Sequence, residues 1–154
     1  MKLLGLLLVP LSLVAQIQFV AQKTTNLSGA AEVITVQQPA SGPRTVEFRS
    51  AYIDCSVACT VTLERNGNAA TSTSTPVVPV AAGTAQTATA TAWASSNVGT
   101  GVVLQVSTIS AGGFLVFDLA GITLPPKPDL SQNFTLRTSS ITGTVNITIK
   151  WTER

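Results

Sequence analysis

Hydrophobic and polar residues alternate with a period of two along much of the chain, most clearly near its C-terminus. There, Val145, Ile147, Ile149 and Trp151 alternate with polar residues and are predicted to face inward. Such alternation is typical of β-strands with one buried face, because successive side chains of a strand point to opposite sides. Beyond the N-terminal leader no segment has the period of an amphipathic helix. The pattern therefore predicts an all-β protein.

Turn-forming residues divide the chain into about eight strands. Besides the C-terminal strand, the predicted strands are EVITVQ at 32–37, RTVEFRSAYID at 44–54, CTVTLE at 59–64, the segment 87–94, GVVLQVSTI at 101–109, GFLVFDL at 113–119 and FTLRT at 134–138. Short strands at this spacing predict a single-domain antiparallel β-sandwich, most closely a jelly roll. An immunoglobulin-like sandwich is the alternative, but its cysteine pair lies far apart in sequence, unlike the pair present here.

Alternation also assigns faces within two of these strands. The residues expected to point inward are Val46, Phe48, Tyr52, Cys59, Val61 and Leu63, and those expected outward include Glu47, Arg49, Thr60, Thr62 and Glu64. After the predicted strand 59–64, the pair Asn66-Gly67 predicts a hairpin into the Thr-rich segment 71–75. A type I′ turn needs positive φ at both central residues, which Asn and Gly tolerate.

The segment 87–94 places threonine and tryptophan on one face and alanine on the other. The face of interest carries Thr87, Thr89, Thr91 and Trp93. An exposed Trp93 would offer a stacking surface for a sugar ring, so these four residues are the candidate contacts for a glycan or a protein partner. The alternative is that Trp93 packs on the sheet.

The only two cysteines, Cys55 and Cys59, lie in the run DCSVACT. In a continuous strand their Cα atoms would be about 13 Å apart, whereas a disulfide needs roughly 4.4 to 6.8 Å. A bond therefore requires residues 56–58 to turn, and the alternative is a straight strand with two buried thiols. The even cysteine count and the leader favour the disulfide. A redox function is not expected, because the C-x-x-C spacing is missing.

The N-terminus, MKLLGLLLVPLSLVAQ, has the form of a secretory signal peptide over residues 1–15. Its apolar run is shorter than the roughly 20 residues that span a bilayer, so no permanent membrane span is expected. Residues 16–31 are expected to form a flexible arm and 32–154 the sandwich. The segment 23–31 of the arm and the Pro-rich stretch 125–128 are where partner contacts or disorder are expected. The protein is thus predicted to be secreted or surface-exposed; retention of the leader would instead favour a virion component.

Composition removes several kinds of chemistry. The chain has no histidine, which excludes histidine-based triads and histidine-ligated zinc. Its three aspartates and four glutamates follow no metal-binding spacing, and its positive charges form no stripe for a phosphate backbone. No enzyme activity, metal, cofactor or nucleic-acid binding is expected.

No Asp, Glu, Lys or Arg occurs from residue 66 to residue 117. An uncharged polar surface costs little to desolvate, so it suits contacts between identical subunits. A small Thr- and Ala-rich sandwich of this kind is similar to jelly-roll domains on cell surfaces and virions, although no diagnostic motif carries the similarity. We predict an exported structural protein that self-assembles or attaches to another surface or virion protein. The alternatives are a phage capsid-decoration or fibre-tip protein and a carbohydrate-binding module.

Overall fold

The computed structural model describes residues 17–31, 33–39, 42–66, 74–75, 77–79, 87–94, 101–126 and 132–154. Within these residues the chain forms twelve β-strands and no helix. The strands are β1 (Ile17–Ala30), β2 (Val33–Gln38), β3 (Val46–Cys55), β4 (Cys59–Asn66), β5 (Ser74–Thr75), β6 (Val77–Pro79), β7 (Thr91–Ala94), β8 (Val102–Ile109), β9 (Gly113–Asp118), β10 (Thr123–Leu124), β11 (Gln132–Thr138) and β12 (Ile141–Glu153).

The strands form two six-stranded antiparallel sheets that pack together as a β-sandwich. Sheet A has the order β10-β3-β12-β1-β6, and β9 also pairs with β3. Sheet B has the order β5-β7-β2-β11-β4-β8. Along the chain, β1 to β4 alternate between sheet A and sheet B. The predicted all-β antiparallel sandwich is confirmed.

Large aromatic residues connect the two sheets through the core. Phe48 of sheet A and Phe134 of sheet B have ring centroids 4.5 Å apart, and both are fully buried. Burying an aromatic or branched aliphatic side chain contributes about 1.5 to 3 kcal/mol, so these contacts hold the sheets face to face. In β12 the inward face predicted from alternation is confirmed, and its members have no exposed surface: Val145, Ile147, Ile149 and Trp151.

The segment expected to be a flexible arm is instead the longest strand. β1 lies between β12 and β6, and it pairs with β12 along its whole length, from Ile17 opposite Glu153 to Ala30 opposite Ile141. Its alternation is hidden because polar Lys23 and Thr25 follow the buried Ile17, Phe19 and Ala21. Backbone pairing with β12 fixes these residues, and composition does not report backbone pairing.

The inward orientation predicted for Tyr52 is wrong, because β3 contains a bulge. Trp151 pairs with Phe48 and Lys150 pairs with Ser50, which leaves Arg49 as an extra residue. An extra residue reverses the faces of the residues that follow it. Val46 and Phe48 therefore point into the core, as do Ala51 and Ile53, whereas Tyr52 is exposed.

In β4 the inward residues Cys59, Val61 and Leu63 are buried as predicted. Glu64 was expected at the surface, but it is only 2% exposed and forms an ion pair with Arg137 at 3.2 Å. Gly67, the second turn residue of the predicted hairpin, lies outside the described residues. The strand partners of β4 are β11 and β8, while β5 pairs with β7.

Residues 1–16, which include the predicted signal peptide, and residues 127 and 128 of the Pro-rich stretch also lie outside the described part. Within that part, no helix has the length and apolar character to cross a membrane.

Candidate functional site

The cysteine stretch forms the corner at which the chain passes from one sheet to the other. Cys55 ends β3 in sheet A and Cys59 begins β4 in sheet B, and the two are joined by a disulfide with a Cα–Cα distance of 6.6 Å. The turn required at residues 56–58 is present. The Ser56 amide donates to the Thr144 carbonyl at 2.9 Å, and the Thr144 amide donates to Ser56 Oγ at 2.8 Å. These bonds attach the corner to β12.

Gly143 lies directly beneath this corner. A Cβ atom at that position would approach Ser56 Oγ to 2.6 Å and the Val57 methyl groups to 3.2 and 3.3 Å. This contact was not predictable from local sequence patterns, because it joins segments far apart in the chain.

Only two of the four residues of the predicted threonine–tryptophan face lie in a strand. Thr91 and Trp93 belong to β7, whereas Thr87 and Thr89 precede the strand. On the alanine face, Ala90, Ala92 and Ala94 are buried, and Trp93 on the opposite face is half-buried against Val33. The Trp93 Nε1 atom is buried and has no hydrogen-bond partner among the described residues. An indole in this position offers a sugar less stacking surface than an exposed ring.

Exposed aromatic rings instead lie on the outer face of sheet A. The Tyr52 side chain is on β3 and Phe114 on β9; they are 39% and 66% exposed, and their rings stack with centroids 5.8 Å apart. The sequence offered one signal for this site, since alternation places Phe114 on the same face as the charged Asp118. Tyr52 was missed because of the bulge at Arg49.

The rings belong to a grid of side chains on the three neighbouring strands β9, β3 and β12. From one end to the other, its rows are Asp118, Ser50 and Lys150; Val116, Tyr52 and Thr148; and Phe114, Asp54 and Asn146. We call these nine residues the outer grid. Beyond the last row, Ser56 and Thr144 continue the polar surface toward the disulfide corner.

Polar contacts fix the side chains around Tyr52. Asn146 Nδ2 donates to Asp54 Oδ1 at 2.7 Å, and Asp54 lies close enough to the Tyr52 hydroxyl to affect its pKa. The pKa of Tyr52 is raised above its ordinary value of 10.0, first by partial desolvation and then by Asp54, whose charge opposes the phenolate. Asp54 therefore favours the neutral form of the phenol.

Two shallow depressions lie on either side of Tyr52. One, of about 270 Å³, is bordered by Phe114, Asp54 and Asn146, and Cys55 of the disulfide lies at its end. The other, of about 350 Å³, is bordered by Val116, Thr148 and Lys150. Gly112, just before β9, donates its amide to the Cys55 carbonyl at 3.0 Å, and both residues line the first depression.

A second exposed feature is β8, the edge strand of sheet B. Its partner in the described residues is β4, and six of its eight residues, including the first five, are exposed. Exposure reaches 72% at Val102 and 57% at Val106. A bulge at Leu104 interrupts its pairing, since Leu63 pairs with Gln105 and Glu64 with Val103.

The described residues contain no group of three His, Cys, Asp or Glu side chains arranged to hold a metal ion. Comparisons with protein-family models, with curated proteins and with solved structures give no match. The outer grid and β8 are therefore the candidate functional surfaces.

Proposed function

We propose that this chain is a non-enzymatic, exported structural protein with a jelly-roll fold, and that it assembles with copies of itself through β8. The observation that carries the proposal is the surface of β8, an apolar edge strand without a charged residue. Natural edge strands are usually protected from pairing by Lys, Pro, shortness or a bulge. In β8 the bulge at Leu104 is the only such device.

The occupant that fits this edge is the β8 strand of a second copy. The uncharged span 66–117 contains the whole strand, so two copies meet without like-charge repulsion. Antiparallel pairing about a two-fold axis places each β8 against the same surface of its partner and pairs the two backbone edges that have no partner within the described residues. Two six-stranded B sheets then continue into one sheet of twelve strands, six from each copy.

The jelly-roll part of the proposal is supported by the pairing of the eight strands that have six or more residues. In sheet A they follow the order β1-β12-β3-β9, and in sheet B the order β2-β11-β4-β8. Two interleaved four-stranded sheets of this kind are typical of a jelly roll, an architecture that occurs in capsid and lectin domains. Because the jelly roll occurs in both capsid and lectin domains, the surface of β8, and not the topology, supports the structural role proposed for this chain.

The exported location is supported by the leader and by the disulfide, which is stable in oxidising compartments. Mass spectrometry of the protein from its natural source tests this part. A mature chain that begins after residue 15 supports export, whereas an intact Met1 contradicts it and favours the virion alternative.

Sedimentation of the purified protein over a range of concentrations tests the β8 interface. We expect a dimer, and we expect Val106→Lys to weaken it about tenfold, because a lysine on an edge strand opposes pairing and the two-fold contact brings two like charges onto neighbouring strands. The matched control is Val78→Lys, which changes an exposed valine on β6, at the edge of sheet A. A monomer at all concentrations, or equal weakening by both variants, contradicts assembly through β8.

A further inference from the structure

The outer grid combines exposed aromatic rings with fixed polar groups, and it is separate from β8. We propose that it is a binding site for a neutral hexopyranose unit of a glycan, with the sugar ring stacked beside Tyr52 and Phe114. The site lies on sheet A, whereas Trp93 of the predicted site lies on β7 of sheet B.

The aromatic pair supplies the apolar half of the recognition. Tyr52 and Phe114 are held by a sheet that fixes their backbones, and they stack on each other while keeping exposed surface. A hexopyranose presents a patch of C–H groups on one ring face, and this patch packs against an aromatic face. Rings already held in place lose little conformational entropy on binding.

Asp54 and Asn146 supply the polar half. They lie beside Phe114 in the same row of the outer grid, and their mutual hydrogen bond at 2.7 Å fixes both side chains. A carboxylate has about four acceptor positions and an amide oxygen two, so acceptors remain for hydroxyl donors after the Asn146–Asp54 bond is made. A sugar has hydroxyls around its rim, which meet these acceptors while its apolar face contacts the rings.

Size and charge favour a sugar over a macromolecular surface. The depressions of about 270 and 350 Å³ are near the lower limit of small-ligand sites, roughly 300 Å³. The exposed apolar part consists of Tyr52, Phe114 and Val116, which is too little for a stable protein interface of about 1,200 Å² or more. The grid carries two carboxylates, Asp54 and Asp118, against the single ammonium of Lys150, which disfavours a phosphate backbone.

Nuclear magnetic resonance titration with soluble hexasaccharides of glucose, N-acetylglucosamine, galactose and mannose tests the site. Tyr52 is the only tyrosine of the chain, so its ring signals report on the site directly. We expect at least one of these sugars to bind with a Kd below about 10 mM and to shift the Tyr52 and Phe114 signals. Tyr52→Ala and Phe114→Ala should each weaken that binding about tenfold or more, whereas Tyr52→Phe, which keeps the ring, should retain most of it.

The matched control is Val78→Ala, which removes an exposed apolar side chain from β6 at the edge of sheet A and should leave sugar binding unchanged. Both aromatic residues are exposed, so their alanine variants are expected to fold, and circular dichroism of each variant checks this. The proposal is overturned if none of the four hexasaccharides binds below about 10 mM, or if binding survives both alanine variants. It is also overturned if the Tyr52 signals shift with protein concentration alone or on addition of single-stranded DNA, because a second copy or a nucleic acid would then occupy the grid.

Discussion

The carboxylate of Glu153 accepts a hydrogen bond from the indole Nε1 of Trp151 at 3.2 Å, and both side chains are buried. The same carboxylate accepts the backbone amides of Thr89 at 2.7 Å and Ala90 at 3.0 Å. Arg44 lies 3.6 Å from it. Glu153 thus fixes the chain just before β7 against the end of β12, and it connects the two sheets at that end.

The variant Glu153→Gln tests this connection. Glutamine keeps the shape but replaces one acceptor oxygen by a donor, which then faces a backbone amide. Because hydrogen bonds to a charged group contribute about 1.5 to 3 kcal/mol, we expect the free energy of unfolding to fall by a similar amount in urea denaturation. Arg44→Ala is the control and should cost less than about 1 kcal/mol, since Arg44 is partly exposed. Equal losses in the two variants would contradict the importance of the amide bonds.

The two tryptophans should respond oppositely to replacement by phenylalanine. Trp151 is fully buried and its Nε1 donates to Glu153, so Trp151→Phe should destabilise the protein by about 2 kcal/mol or more. Trp93 buries an Nε1 without a partner in the described residues, and its ring contacts Val33. Trp93→Phe should therefore leave the free energy of unfolding unchanged or raise it. A loss at position 93 as large as that at position 151 would refute this reading of Trp93.

Loss of the disulfide should weaken the corner without unfolding it. A loop of about five residues corresponds to about 2 kcal/mol of lost denatured-state entropy, and we expect this decrease on reduction with dithiothreitol. The fold should persist, because Ser56 remains bonded to Thr144. The double variant Cys55→Ala/Cys59→Ala is the control for reduction and should not respond to dithiothreitol. A wild-type protein whose stability is the same with and without the reductant would show that the bond contributes nothing.

The single tyrosine permits a direct test of its contact with Asp54. Phenolate absorbance should titrate with a midpoint above 10.0 in the folded protein, and Asp54→Asn should lower the midpoint because it removes the charge that opposes the phenolate. The folded state holds this proton more tightly than the unfolded chain. The associated stability is therefore complete below the unfolded pKa and is lost as pH rises through the folded pKa.

Asp118→Asn provides the comparison for this titration, since Asp118 pairs with Ser50 and not with Tyr52. In this variant the midpoint of the Tyr52 titration should remain close to that of the wild type. A shift as large as that of Asp54→Asn would mean that the general charge of the face, and not the Asp54 contact, sets the Tyr52 pKa.

Side-chain alternation was a reliable guide wherever a strand is regular and one of its faces is wholly buried. β12 shows this best, because each inward residue from Val145 to Trp151 has no exposed surface. The disulfide was also predictable, since the distance across a straight strand left a turn at residues 56–58 as the only geometry for a bond. Both predictions use local rules that need no knowledge of neighbouring strands.

The candidate site was not predictable by the same means. A single extra residue at Arg49 turned Tyr52 outward, and nothing in the local sequence marks that bulge. The outer grid joins β9, β3 and β12, so its existence depends on which strands become neighbours. β1 was missed for the same reason, because its polar half is ordered by β12 and not by its own composition.

The pairing of β1 with β12 also determines when this protein can fold. Residue 17 lies opposite residue 153, so the centre of sheet A cannot form until the ribosome has made nearly the whole described chain. Sandwiches built from such distant pairings fold in milliseconds to seconds, slowly compared with helical proteins. The growing chain therefore lacks its closing strand throughout synthesis, and a leader at its N-terminus would be available for recognition while the rest of the polypeptide is still unfolded.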